Sequence, residues 1–299
     1  MKAKEITFKS KDNIDIISFE WECNSPKAIV HIIHGMSEYS SRYNHFASWL
    51  NSKNIFVISS DLRGHGKTAG NIDNIGFFAN NNGWEIVTED IVKISEHYKN
   101  LHSNIPLIIL GHSMGSFLAR TIAIDYPNTA SGYIFSATAG HPGLLGILGN
   151  KLAKLNGSFF GKKNRSKLLD FLAFGDFNKR IKNNSTKKDW LTNDKKIVEK
   201  YINDPYCMQI FTAQFFVDLT SGLLKINDTS EIQKMNKKTP YLLFSGTMDP
   251  VGNYGKGVNE VVDKFKRLDF SNVTCKLFND GRHEMLNETN KEEVYEFIT

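Results

Sequence analysis

Five consecutive residues restrict this chain more than any others: Gly111-His112-Ser113-Met114-Gly115. A short apolar run, residues 106–110, leads straight into them and predicts a buried strand. Phe117-Leu118-Ala119 follows and predicts a helix that ends near Tyr126, ahead of Pro127. A strand that passes into a helix through G-x-S-x-G has to turn sharply, with the serine in a strained backbone conformation. Side chains two residues before and after the serine would collide with the turn, so both places call for glycine.

The rest of the chain supplies the sheet that such a turn needs. Residues 5–9 and 14–21, split by Lys11-Asp12-Asn13, predict an antiparallel hairpin. Apolar strands are predicted at 28–33, 55–60 and 133–136, and helices at 43–50 and 84–98. This β-α-β-α order predicts an α/β fold, a mostly parallel central sheet with helices on both faces. The alternation breaks after Ala137: residues 138–236 read as helical and basic, without a clear strand. It returns with strands at 241–244 and 273–278, a helix over 258–265 and a last helix from Asn290. One core is therefore expected from residues 1–137 and 237–299. Residues 138–236 are expected as a helical cap, an insertion and not an independent domain.

Composition closes off several classes. With 40% hydrophobic and 23% charged residues in a chain of 299, a large core is available, which excludes a disordered or collagen-like chain. Cys23, Cys207 and Cys275 are too few and scattered for a disulfide framework, and no C-x-x-C is present. No apolar run approaches the ~18 residues of a membrane span. Met1-Lys2-Ala3-Lys4-Glu5-Ile6 puts charge where a secretory signal needs apolar residues, so a cytoplasmic protein is expected. The net charge of +5 is uneven: His141 to Asn236 hold 16 Lys and Arg against 9 Asp and Glu, and the remainder 21 against 23. That segment reads as solvated helix surface, or as a face for an anionic layer such as lipid head groups at the inner membrane surface. Basic and aromatic residues do not interleave and no binding motif is present, so nucleic acid is not an expected partner.

A serine hydroxyl needs a base. Hydrolases with this elbow place the acid and then the histidine after the serine. Of nine histidines only His141 and His283 follow Ser113, and the one acid between Ser113 and His141 is Asp125, inside a predicted helix. His283, in the loop after strand 273–278, is therefore the candidate base. Asp249, in the loop after strand 241–244, is the candidate acid, with Asp280 second but close in sequence to the histidine. Asp218 and Asp228 fall in the insertion and Asp263 in a helix. An oxyanion is stabilised by preorganised N–H donors. Met114 N–H, just after the nucleophile, and Met36 N–H, after strand 28–33 and His34-Gly35, are the candidates. His112 is expected to point away from the site as packing.

Four segments agree in order and spacing: His34-Gly35-Met36-Ser37-Glu38, Asp61-Leu62-Arg63-Gly64-His65-Gly66, Gly111 to Gly115, and Asp249-Pro250 with Gly281-Arg282-His283-Glu284. Together they resemble the monoacylglycerol lipase and lysophospholipase branch of the α/β-hydrolases, the serine aminopeptidase-like hydrolases. The resemblance covers nearly the whole chain. It implies a Ser113–Asp249–His283 triad, an oxyanion hole at Met36 and Met114, a helical cap and an acyl-ester substrate cleaved without metal or other cofactor. It also implies a structural turn at 61–66 and a recurrent turn at Asn203-Asp204-Pro205. No H-E-x-x-H or dinucleotide fingerprint is present.

The cap leaves alternatives open. Leu144, Leu148, Leu152 and Leu155 share one face of a predicted helix beside Lys151 and Lys154. With Leu168, Leu169, Phe171 and Leu172 they suit an acyl tunnel, ordinary packing into the core, or contact with a bilayer. Three function classes remain: a hydrolase of monoacylglycerol or lysophospholipid, a peptidase or thioesterase on the same residues, and a non-catalytic binding protein. A peptidase would favour acidic cap residues to hold a free amino terminus, and this cap is basic.

Overall fold

Short apolar runs pair side by side into one sheet because each buries its backbone donors and acceptors only by finding a neighbour. The computed structural model describes residues 3–299, the side chain of Leu145 excepted. Eight strands form the sheet: β1 (Lys4–Lys9), β2 (Asp15–Trp21), β3 (Ala28–Ile33), β4 (Ile55–Ser60), β5 (Leu107–His112), β6 (Gly132–Ser136), β7 (Tyr241–Gly246) and β8 (Val273–Phe278). Their order is β1-β2-β4-β3-β5-β6-β7-β8. β1 and β2 pair antiparallel, β2 joins β4 antiparallel, and all later pairings are parallel. The expectation drawn from the chain's first residues rests partly on Met1 and Lys2, which lie outside the described residues.

Register positions the site. Ile29 pairs with Leu107 and Ile33 with Gly111, so β3 and β5 end side by side. His112 pairs with Ser136, and Gly246 with Phe278. The loops that follow β3, β5, β7 and β8 therefore leave the same carboxyl edge, where open parallel sheets bind ligands.

Helices cover both faces. On one lie α2 (Gly83–Leu101), α3 (Met114–Asp125) and α9 (Lys256–Arg267), and on the other α1 (Asn44–Ser52) and α10 (Lys291–Ile298). α9 shows why: Val258, Val261, Val262 and Phe265 repeat at helical spacing and are all buried, with Lys and Glu between them. α3 begins at Met114 rather than Phe117, because the sharp turn lies at Ser113 itself and the helix starts at the next residue. Other ends shift by a few residues, as when α2 extends beyond the predicted 84–98.

The insertion folds as α4 (Gly143–Phe160), α5 (Lys167–Phe174), α6 (Lys195–Asn203), α7 (Ala213–Lys225) and α8 (Thr229–Ile232). Side chains cap four of them: Ser166 at α5, Asp194 at α6, Thr212 at α7 and Asp228 at α8. An isolated bridge between Arg165 and Thr212 is its only β pairing among the described residues. α7 packs against the core: Phe215 and Phe216 are buried in it, and a Cβ on Gly222 would stand 2.2 Å from the Trp84 ring.

Candidate active site

Ser113 occupies the apex between β5 and α3 at φ 53° and ψ −122°. A non-glycine residue held there stores about 1–3 kcal/mol of strain. The surroundings force the conformation. A Cβ at Gly111 would lie 2.2 Å from Gly115 O, and one at Gly115 2.0 Å from Ile33 O. Ser113 N donates to Ser136 O at 2.9 Å, locking the turn to β6.

Beside it runs the loop after β3. His34 is fully buried, and its Nε2 accepts from Leu62 N at 2.9 Å, so its Nδ1 carries the proton and donates to Gly35 O at 2.8 Å. Burial pushes the His34 pKa down to about 4, so the ring is neutral in ordinary buffers. The 61–66 segment thus braces this loop. Its Asp61 accepts from Ser40 N and Lys67 N, each at 2.8 Å. Glu38 Oε1 holds the loop from the other side, accepting from Gly35 N at 2.6 Å and Tyr43 Oη at 2.9 Å. Neither Met36 N–H nor Met114 N–H is taken by an acceptor among the described residues, and both residues line the cavity described below.

His283 and Asp249 come together from β8 and β7. His283 Nδ1 meets Asp249 Oδ1 at 2.9 Å, and both are buried. Asp249 is oriented by Ser245 Oγ, which donates to Oδ2 at 2.7 Å, and by Val251 N, which donates to Oδ1 at 2.9 Å. Burial opposes a charged imidazole, but Asp249 outweighs it, with help from Glu284 and Glu38, and raises the His283 pKa above its ordinary value. Asp280 is exposed in the turn before His283, with Asn279 as its side-chain partner, and does not share the histidine. Ser113 Oγ makes no hydrogen bond among the described residues, yet Ser113 and His283 face the same cavity. Such contacts commonly tighten only with substrate bound.

Several neighbours escaped the sequence reading. Trp190 from the insertion lies 5.0 Å from the His283 ring, centroid to centroid, and its carbonyl accepts from His283 N at 3.4 Å. His112 does not turn wholly away: its ring packs 4.8 Å from that of His283 while Nδ1 meets Ser136 Oγ at 3.1 Å. Arg42 is partly buried between two buried acids. It donates to Glu38 Oε2 at 2.9 Å and to Glu284 Oε1 and Oε2 at 2.9 and 2.7 Å, and covers the Tyr201 ring of α6 at 5.0 Å. One side chain therefore ties the β3 loop, the His283 loop and the insertion together. An arginine on the turn after His34-Gly35 carries no chemical signature in one dimension, so only the fold reveals its partners.

Above these residues opens a cavity of about 1090 Å³, large enough for a long acyl chain. Leu169, Phe171 and Leu172 line it, together with Phe216, Leu219 and Leu223 of α7. The shared face expected for α4 divides instead. Leu144, Leu148 and Leu155 are exposed and Leu152 packs half-buried on the core, while among the described residues Gly146 and Gly149 are what α4 presents to the cavity. Leu168 also points outward. A helix on the outside of a hollow space buries a narrow stripe, and here that stripe is not the leucine one. Among the described residues no group of three or more His, Cys, Asp or Glu side chains is placed to hold a metal ion, and the three cysteines are free.

A family model described as serine aminopeptidase, S33, matches residues 24–290. The chain is 27% identical over 271 residues to a monoglyceride lipase homolog of Monkeypox virus, covering 89% of this chain and 85% of that protein. It is 24% identical over 308 residues to a monoacylglycerol lipase of Mycolicibacterium smegmatis, covering 99% and 95%. Among solved structures, a thermostable carboxyl esterase from Bacillus coagulans in complex with glycerol superposes with a TM-score of 0.92 at 26% identity, covering 100% of this chain and 97% of that one.

Proposed function

Because this chain is a carboxylic ester hydrolase belonging to the serine aminopeptidase, S33, family of α/β-hydrolases, we propose that it cleaves long-chain monoacylglycerol or lysophospholipid through an acyl-serine intermediate. The observation that carries this reading is the convergence of Ser113, the buried His283–Asp249 pair and two unclaimed backbone N–H groups on one apolar cavity. His283 takes the Ser113 proton as the hydroxyl attacks the ester carbonyl. The oxygen then carries negative charge, and the Met36 and Met114 amides hold it, each such donor worth about 3–4 kcal/mol. His283 returns the proton to the departing alcohol. A water, deprotonated in turn by His283, releases the acid from Ser113. Asp249 orients the imidazole and stabilises its cation.

Residues 138–236 act in this reading as the cap that houses the acyl chain. Leu148, Leu155, Phe159 and Phe160, exposed on α4 and flanked by Lys151 and Lys154, suit shallow insertion into an anionic layer. In this reading the enzyme works in the cytoplasm and binds reversibly at the inner membrane surface. Among the described residues no helix is long and apolar enough to cross a membrane.

The basic cap favours lysophospholipid as a second reading beside monoacylglycerol. Fatty-acid release from a long-chain monoacylglycerol and its matched lysophosphatidylcholine, with Ser113→Ala as blank, separates them. We expect release above the blank, falling at least about 10⁴-fold in the variant. If neither lipid is cleaved, the lipid reading falls, and short esters, thioesters and peptides become the substrates to try.

A further inference from the structure

Arg120 sits midway along α3, the helix that begins beside Ser113, and is only 1% exposed. A guanidinium at that depth is ordinarily matched by a carboxylate. Here no acid stands within ion-pair distance among the described residues, and Glu260 attracts it only from farther off. All of its hydrogen bonds go to neutral oxygens. Nη1 donates to Ala139 O at 2.8 Å and Thr138 Oγ1 at 3.4 Å. Nη2 donates to Ile226 O at 2.6 Å and Asn227 Oδ1 at 3.3 Å. Burial pushes its pKa down to about 9, which leaves it charged at neutral pH.

These four acceptors belong to two places in the chain. Thr138 and Ala139 are where the backbone leaves the core for the insertion, and Ile226 and Asn227 follow α7 on the way back. The two crossings also bind each other, Asn227 Nδ2 donating to Gly140 O at 3.2 Å. α9 braces both: Lys264 Nζ donates to Asn227 O at 2.7 Å, and Glu260 Oε1 accepts from His141 N at 3.3 Å. Ala139 and Gly140 line the cavity, as do Leu219 and Leu223 just before the return crossing and Met114 and Phe117 at the start of α3. Cavity walls from the insertion and from the nucleophile's helix therefore meet around one side chain.

We propose that Arg120 is a positioning residue that sets the insertion over Ser113. By binding both crossings to α3 it keeps the insertion's apolar walls in register with the reacting centre. The inference rests on the acyl-ester hydrolase reading for its kinetic consequence, though not for its structural one. Long acyl chains depend on the insertion's walls, whereas short ones reach Ser113 without them.

The test compares the full chain with Arg120→Met, Arg120→Lys and Asn227→Ala on p-nitrophenyl butyrate and p-nitrophenyl laurate, with amide hydrogen exchange on the same samples. For Arg120→Met the laurate KM rises about tenfold while butyrate kcat stays within about twofold. Exchange quickens at residues 139–141 and 226–228 but not along β5. Lysine reaches one crossing and not both, so its laurate KM falls between wild type and Met. Should Arg120→Met fail to fold, Asn227→Ala, which removes the Gly140 tie and one Arg120 bond, gives a rise of about threefold in laurate KM. Equal losses on both esters with unchanged exchange at the crossings would make Arg120 merely structural and overturn the proposal, as would an unchanged laurate KM. If the wild type cleaves neither ester, the hydrolase reading fails instead. Exchange then decides the role of Arg120 alone: quickening at both crossings supports it, and none overturns it.

Discussion

At Ser113 the backbone is held in the one conformation that the proposed nucleophile needs. The turn holds the residue at a positive φ that serine otherwise avoids, and the two flanking glycines exist because carbonyl oxygens occupy the space their side chains would need. His283 is tuned by an equally local contest. Burial works against its charge, and Asp249 wins. In the proposed mechanism His283 must be neutral to act, so kcat/KM should fall on the acid side with an apparent pKa above the ordinary histidine value. Asp249→Asn leaves burial less opposed, so that limb moves to lower pH while the rate drops by about 10⁴-fold. A pH–rate profile of both proteins measures the two effects, and an unmoved limb would detach Asp249 from His283.

Among elements, the decisive contacts are between loops. Arg42 joins the loop after β3 to the loop after β8 and touches α6, so three segments far apart in the chain share one partly buried cation. Burial opposes the Glu284 charge, but Arg42 holds its carboxyl below the ordinary range. That contribution is present above the unfolded carboxylate pKa and is lost as pH falls through the lower folded value. Arg42→Met strands two buried acids and should cost about 3–5 kcal/mol near neutrality. Without Arg42 burial raises the Glu284 pKa, so the folded protein takes up a proton that the unfolded chain does not. The loss is then smaller at pH 5 than at pH 8. Urea unfolding at both values checks it, and a loss equal at both would mean the acids find other partners.

For the whole molecule, the insertion gives the protein two unlike faces. The cavity lies on one side of α4 and α5, and exposed apolar side chains such as Leu148, Leu155 and Leu168 stand on the other among lysines. Replacing Leu148 and Phe159 by serine should weaken sedimentation with vesicles containing phosphatidylserine by about tenfold, roughly the effect of removing two shallowly buried side chains. Hydrolysis of p-nitrophenyl butyrate in solution should be unchanged. Raised salt should weaken the vesicle association as it screens the lysines. Binding that ignores both the substitutions and the salt would place the contact elsewhere.

The local signals in this chain were legible because each is short and sterically demanding. The elbow at 111–115 announces itself through glycines that only one geometry needs. Apolar runs and helical periodicity separated strands from helices in the core to within about three residues at each end. Chain order led to Asp249 and His283, which the fold brings to 2.9 Å through parallel strands ending at one edge. The tertiary structure alone decided what depends on contacts between distant segments. Arg42 meets Glu284 across 242 positions and Arg120 meets Asn227 across 107, and no local pattern encodes either pairing. It also decided which face of α4 lines the cavity. Amphipathic spacing reports that a helix has an apolar stripe, but where that stripe points is set by the space left between the insertion and the sheet.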